Sequence, residues 1–515
     1  MHSMKCSRFL VPAVCALLSP ALSFPQNSAS FNTVVSNAQP DNPGNIYSVD
    51  VNNDGLTDIV SDGGYSPAAF YVSLNQGDGT FAAPVQYLLP GSDAEPMCIA
   101  AADYNKDGNV DLAVPLAGTN QIAVYLGNGD GTFQSPIVST INLPSGATFI
   151  GDGGCAAADF NADGAIDLAA PVYSELYVFQ GAGNGRFSAS PYPVLAAQQS
   201  DGTQVFVGDY NGDGKADITT STPTGGGTTV YVLYGNGSFA FSSTAPYTAN
   251  GYLTIGSGDV NSDGITDLYA LTNYNGGQQL GVFYGTNTDT FTSYWIDAPS
   301  AYDIGGNPAA RPWQAPLTLG DYNSDGRIDL ATSAVNTGGT AEYVELFLAG
   351  AAPGAFTTQV VALPSDTPWL TSPVAGLLSG SYLKPDVTLN QSNTGSDDTT
   401  PTTLDALLNT TNGYFSICPY PHSGKGFHVC AAGLAYGDTA LFSAAANSLG
   451  KLRKIELWVD GSKVQEQDHT WDTHAYFDWA GTFARGTHQA VFYAYDIDNT
   501  VQRYDFSFNV GARHE

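Results

Sequence analysis

Asp103-Tyr104-Asn105-Lys106-Asp107-Gly108-Asn109-Val110-Asp111, followed by Leu112, is the stretch from which this chain is best read. The same pattern, Asp-x-Asn-x-Asp-Gly-x-x-Asp and then Leu or Ile, occurs six times, at 50–58, 103–111, 159–167, 209–217, 259–267 and 321–329. Successive copies start 50 to 62 residues apart, so the phrase belongs to a structural repeat.

Oxygens on alternate residues of a tight loop can converge on one centre, and a hard cation such as Ca2+ takes about six to eight of them. Positions one, three, five and nine supply side-chain oxygens and position seven a backbone carbonyl. The expected ligands are therefore Asp50, Asn52, Asp54, Leu56 and Asp58 in the first loop and Asp103, Asn105, Asp107, Asn109 and Asp111 in the second. The third loop offers Asp159, Asn161, Asp163, Ala165 and Asp167, and the fourth Asp209, Asn211, Asp213, Lys215 and Asp217. The fifth offers Asp259, Asn261, Asp263, Ile265 and Asp267, and the sixth Asp321, Asn323, Asp325, Arg327 and Asp329. Position seven varies freely, as a backbone ligand allows. Position six is always Gly, where a loop wrapping an ion needs a backbone angle that a Cβ opposes. Position two is always apolar or aromatic (Val51, Tyr104, Phe160, Tyr210, Val260, Tyr322), which suits a side chain turned into the core. The competing reading is a metal-free Asx turn, since Asp, Asn and Gly are ordinary turn formers. An EF-hand is excluded, because position twelve of the first copy is Ser61 instead of Glu and the flanks, Ile46–Val49 and Ile59–Val60, read as strands.

A second cadence accompanies the loops: an apolar strand, a Gly/Asn cluster, then Phe, as in the runs ending at Phe81, Phe133, Phe187 and Phe239, and more weakly at Phe291, Phe356 and Phe415. Each unit then holds four short strands: one after Phe, one before the loop, one after it and one before the Gly cluster. Four strands in some fifty residues, repeated, is the mark of a β-propeller blade. Seven closing Phe residues against six loops predict seven blades, the last degenerate: Ser381 replaces the first Asp and Asp386-Val387 aligns with Asp329-Leu330. Residues 31–415 resemble the FG-GAP and VCBS repeat family, the propellers of integrin α chains and of many secreted bacterial proteins. That resemblance implies the propeller fold and about six Ca2+ sites, and leaves function open, because the family includes adhesion receptors, lectins and accessory domains of polysaccharide-degrading enzymes.

Beyond Phe415 the cadence gives way to alternating strands at 455–461, 475–479, 489–495 and 504–510. This part resembles bacterial Ig-like domains, with Trp458 expected in the core. The fold class expected is all-β, a seven-bladed β-propeller with calcium-binding hairpin loops followed by a small Ig-like β-sandwich. The domains are 1–23 signal peptide, 24–415 propeller, 416–429 linker and 430–515 sandwich. Lys5 and Arg8, the apolar run 9–18 and the small residues Ala21-Leu22-Ser23 form the export signal, and that run is too short to span a bilayer. Export makes a disulfide between Cys418 and Cys430 the expected bridge, with Cys98 and Cys155 buried as small hydrophobes.

The formal net charge is −32, and residues 31–413 hold only six basic side chains, which argues against nucleic acid as a partner. Eighteen of the carboxylates are loop ligands, so six Ca2+ would offset twelve charges. That stretch also contains no His, which removes the usual general base and any Ser/His/Asp triad built there. His469, His474 and His488 are irregularly spaced and fit solvated or turn-packing roles. Asp297, Asp303, Asp366, Asp397 and Asp398 lie outside the loops, and no two are singled out as a glycosidase pair. Ligand contacts are expected from Tyr294, Trp295, Tyr302, Arg311, Trp313 and Trp369, aromatics with a nearby Arg that suit sugar stacking or a protein anchor. Three readings follow: a non-enzymatic adhesion or glycan- or protein-binding module at the cell surface or beyond, a calcium-dependent polysaccharide lyase, or a structural scaffold.

Overall fold

The computed structural model describes residue 29, residues 35–39, most of 45–297, the shorter stretches 302–304, 317–323, 327–336, 342–362, 370–376, 386–391 and 402–407, and most of 427–510. The signal-peptide region, Cys418, Arg311, Trp313, Trp369, Asp325 and Phe415 lie outside these residues. Among the described residues every regular element is a β-strand and every strand pairing is antiparallel.

Among the described residues, seven sheets of four or five strands follow one another along 35–407. The third shows the pattern: Ala156–Ala158, Asp167–Val172, Glu175–Phe179 and Tyr192–Leu195 pair in chain order. The acidic loop joins one strand to the next, and in all six loop-bearing sheets the strand after the loop begins on the ninth loop residue: Asp58, Asp111, Asp167, Asp217, Asp267 and Asp329. The degenerate unit keeps this start, at Asp386–Gln391. Its sheet takes its outer strand from the other end of the chain, since Val35–Gln39 pairs with Thr402–Leu407. Strands that precede the loops touch their counterparts in the next sheet: Ala100–Ala102 meets Ala156–Ala158, which meets Gln204–Gly208, which meets Leu253–Gly258. The strand Leu370–Gly376 of the last sheet meets Ile46–Val49 of the first, bringing the ends of the series together. Runs of Ala at 100–102 and 156–158 allow the close approach.

The core lies between consecutive sheets. Val60 and Phe70 of the first pack with Leu112 and Tyr125 of the second, while Ala170 and Phe179 of the third pack with Ala113 and Val124 of the second. The third and fourth sheets share Val178 and Ile218, the fourth and fifth Val232 and Phe283, and the fifth and sixth Val282 and Phe347. Burying such a side chain stabilises by roughly 1.5–3 kcal/mol, so the hydrophobic effect ties the series together sheet by sheet.

Two sequence expectations within 35–407 are corrected. Cys98 and Cys155 form a disulfide, with sulfurs 2.04 Å apart, and are not separate buried thiols. Each sits just ahead of a loop-preceding strand, and the contact between those strands brings the two cysteines together. The closing Phe of the fourth unit is Phe241, which pairs with Gly235 and opens the strand Phe241–Ala249; Phe239 sits in the turn at φ 61°. Asn75 and Phe81, Gly127 and Phe133, and Gly181 and Phe187 make the same six-residue closure.

The C-terminal region forms two further antiparallel sheets. One holds Phe427–Tyr436, Thr439–Ser448 and His474–Thr482; the other Ser462–Asp468, Leu452–Val459, Gly486–Asp496 and Val501–Val510. Strand alternation corrects the place of Trp458. Ile455, Leu457 and Val459 are buried with Ala490, Phe492 and Ala494, and Trp458 takes the opposite face, half-buried, its Nε1–H donating to Glu456 Oε2 at 2.9 Å. His488 Nδ1 lies 2.6 Å from Asp460 Oδ2 beside the Asp460-Gly461 turn, a turn-packing role.

Candidate metal centres

Position nine of each loop is a buried carboxylate that fastens three pieces of chain together. Its Oδ2 accepts the N–H of position two at 2.9–3.0 Å, from Val51, Tyr104, Phe160, Tyr210, Val260 and Tyr322. Its Oδ1 accepts, at 2.7–2.9 Å, the N–H at the end of the strand before the closing turn, from Asn75, Gly127, Gly181, Gly235, Gly285 and Ala349. The loop, the strand after it and the closing turn are thus held at one point. Gly is required at most of these ends because the amide must approach closely: a Cβ on Gly127 or Gly181 would lie 2.0 Å from the carbonyl oxygen of Val110 or Ile166. The position-two side chains beside this point are buried, as their apolar character predicts.

Above the clamp, positions one, three and five form a nest of oxygens. In the first five loops the N–H of position five donates to Oδ1 of position one at 3.0–3.2 Å and to Oδ1 of position three at 2.8–3.1 Å. Two side-chain oxygens from different residues therefore point at one place. The Gly at position six donates to the other oxygen of position one in loops two to five, at 2.7–2.9 Å. Position seven donates to Oδ1 of position five at 2.8–3.0 Å. Position four turns left-handed, with φ between 59° and 71° at Asn53, Lys106, Ala162 and Gly212. In the sixth loop Asp321 and Asn323 are buried, and Arg327 donates its Nε–H to Ala349 O at 3.0 Å.

The electrostatics of the loops are strained in one direction. Burial pushes the carboxyls of Asp111 and Asp167 up to about 7 and that of Asp217 up to about 8, against the backbone N–H groups that favour ionisation. In each case the carboxylates at positions one and five add like-charge repulsion. Asp58 and Asp267 are raised well above the usual carboxylate range, by burial first and by the same two neighbours. Three carboxylates that feel one another across a loop, one of them buried, suit a hard divalent cation, which would offset their mutual repulsion and favour their ionised forms. Among the described residues no three His, Cys, Asp or Glu side chains stand as a finished cage. The donor set fits calcium through its mixture of carboxylate, Asn and backbone oxygens, and the carboxylates now turned onto N–H groups would re-aim toward an ion.

Neighbouring loops touch, a feature that position-by-position reading misses. Asn53 Nδ2 donates to Asn109 Oδ1 at 3.2 Å, joining the first loop to the second. Tyr104 O accepts the N–H of Gly185 in the third unit at 2.9 Å. Asp209 N–H donates to Thr266 Oγ1 at 3.0 Å, and Thr266 N–H returns a bond to Asp209 O at 2.9 Å.

The expected ligand aromatics separate. Tyr294 and Trp295 occupy one strand, Phe291–Asp297, and take opposite faces. Tyr294 is half-buried, its ring 5.3 Å from that of Tyr284 and close against Gly354. Trp295 is 39% exposed and rests 5.0 Å from Tyr247 and 5.5 Å from Phe283, lying across Gly281, where a Cβ would stand 2.8 Å from the indole. The backbone of Tyr302 pairs with Asn336.

Comparison with known proteins agrees with the repeat. Three segments, 50–114, 159–220 and 259–332, match the family model described as an FG-GAP-like repeat, and each begins on the first residue of an odd-numbered loop and ends just past the next loop. Integrin alpha-PS5 of Drosophila melanogaster is 30% identical over 154 residues, which cover 26% of this chain and 15% of that protein. The chain therefore spans under a sixth of that relative's length. Among solved structures, BBS1N in complex with ARL6DN aligns with 74% of this chain and 98% of its own at 12% identity and a TM-score of 0.43. The NanB sialidase of Streptococcus pneumoniae aligns over 72% of this chain and 70% of its own at 13% identity and a TM-score of 0.39.

Proposed function

We propose that this protein is an exported, calcium-binding, seven-bladed β-propeller with a C-terminal Ig-like β-sandwich, acting without catalysis as an adhesion or ligand-binding module toward an extracellular glycan or protein. The observation that carries this reading is the recurrence of one hydrogen-bonded nest and one buried clamp at the same corner of successive sheets, on loops that the FG-GAP-like matches bracket in pairs. A single Asx turn needs no such repetition of carboxylates, and their mutual repulsion costs stability unless a cation sits among them.

Asp50, Asn52, Asp54, Leu56 and Asp58 would hold the first ion, and their equivalents the others. Bound calcium would supply charge neutralisation and rigidity, leaving the loops between strands to recognise a partner. The Cys98–Cys155 bridge supports export, because such bonds persist in oxidising compartments. The 39% exposed ring of Trp295, beside Gly281, supports a stacking contact with a sugar or an anchoring contact with a protein. If each site has the modest affinity of extracellular modules, millimolar calcium adds roughly 0.4 to 1.4 kcal/mol per site.

The test is calcium titration of the purified protein by calorimetry, followed by glycan-array and surface-binding assays with and without EDTA. A stoichiometry near six, a chelator-sensitive melting temperature and chelator-sensitive binding are expected. A melting curve unmoved by EDTA would remove calcium from the account, and release of unsaturated uronate products from a polysaccharide would replace binding by lyase chemistry.

A further inference from the structure

The loops differ at one residue that the repeat leaves free. In the first, second, third and fifth loops the Asn amide at position three donates to Oδ2 of the position-five Asp at 2.8–3.0 Å. In the fourth, the equivalent Asn211 turns away and donates to Asp289 Oδ1 in the next unit at 2.9 Å. The vacated oxygen, Asp213 Oδ2, is taken instead by the ammonium of Lys215 at 2.7 Å. That ammonium also lies close enough to Asp217 and Asp209 to feel their charges, so it addresses positions five, nine and one of its own loop. At the same position the first, second, third and fifth loops carry the uncharged Leu56, Asn109, Ala165 and Ile265, and the sixth carries Arg327, whose Nε–H donates to Ala349 O at 3.0 Å.

We infer that Lys215 is an affinity-setting residue, a built-in cation that competes with calcium and makes the fourth loop weaker and later-filling than the first, second, third and fifth. This rests on the calcium reading above. A calcium ion arriving at Asp213 must displace the ammonium, which then stays tethered to the loop. A singly charged group held about 5 Å from a doubly charged ion weakens binding roughly tenfold even at the dielectric constant of water. The side chains of Lys215 and Asp213 are 43% and 34% exposed, so the ammonium can swing out into solvent, and the penalty is on affinity and does not abolish the site. At low calcium the fourth loop would be held by its own lysine while its neighbours are held by metal.

Native mass spectrometry at stepped free calcium, on wild type, Lys215→Met and Lys215→Arg, reads this directly because it counts bound ions. Wild type should pass through species lacking one or two ions before saturation, since the sixth loop also carries a cation at this position. Lys215→Met should bring one of these late ions in at about tenfold lower calcium with the total unchanged, and Lys215→Arg should behave as wild type. If no uptake step of Lys215→Met moves to lower calcium than in wild type, or if Lys215→Arg tightens equally, the inference is overturned. If none of the three proteins takes up calcium, the calcium reading itself falls, a different and recognisable result.

Discussion

Glu345 is a buried carboxyl without a counter-charge among the described residues. The side chain lies mid-strand in Glu342–Ala349, opposite Thr332, fully buried, and among the described residues neither carboxylate oxygen nor the Thr332 hydroxyl has a hydrogen-bond partner. Desolvation alone raises its carboxyl from 4.5 to about 7. A folded-state value above the unfolded one means the native protein binds the proton more tightly. Its penalty is thus absent below pH 4.5, grows as pH rises toward 7, and is full above that. At 1.36 kcal/mol per pH unit, the shift corresponds to about 3 kcal/mol at pH 8. Glu345→Gln keeps the shape and removes the charge, so urea denaturation of the two proteins should diverge with pH. The variant should match wild type at pH 4.5 and exceed it by about 2–3 kcal/mol at pH 8, with the gap opening between. A constant gap across that range, or a variant less stable at pH 8, would show that Glu345 is ionised with a counter-charge and would refute the argument.

Asp217→Ala should strip hydrogen-exchange protection from the amides of Tyr210 and Gly235 by tenfold or more, whereas Asp213→Ala, whose bonds stay within the exposed loop, should leave both protected. Replacing Cys98 and Cys155 by Ser opens a cross-link spanning 57 residues, worth about 4 kcal/mol on chain entropy, and the variant should melt lower in the absence of reductant but match wild type in its presence. Gly181→Ala places a methyl 2.0 Å from Ile166 O and should cost about 1–3 kcal/mol in chemical denaturation; a neutral result would mean the closing turn yields easily.

Much of the architecture was legible because it is local. The position-two side chains, the start of each strand after a loop on an Asp and the order of strands in each sheet follow from a phrase whose hydrogen bonds close within some twenty residues. The closing role of Phe241 is legible too, because Gly235 to Phe241 keeps the six-residue spacing of the preceding units, which Phe239 breaks. Trp458 departs from the core place that the sandwich resemblance implies, because strand alternation puts Leu457 inside and its neighbour outside.

By itself the sequence determined the repeat, the all-β class and the acidic loops, since short-range turn chemistry and alternation need only neighbours in the chain. Only the tertiary structure decided the pairing of Cys98 with Cys155, the union of Val35–Gln39 with Thr402–Leu407, the isolation of Glu345, and the exchange by which Asn211 leaves Asp213 to Lys215. These depend on which sheets lie side by side, and that is set by burial of apolar surface between units, which no single unit encodes.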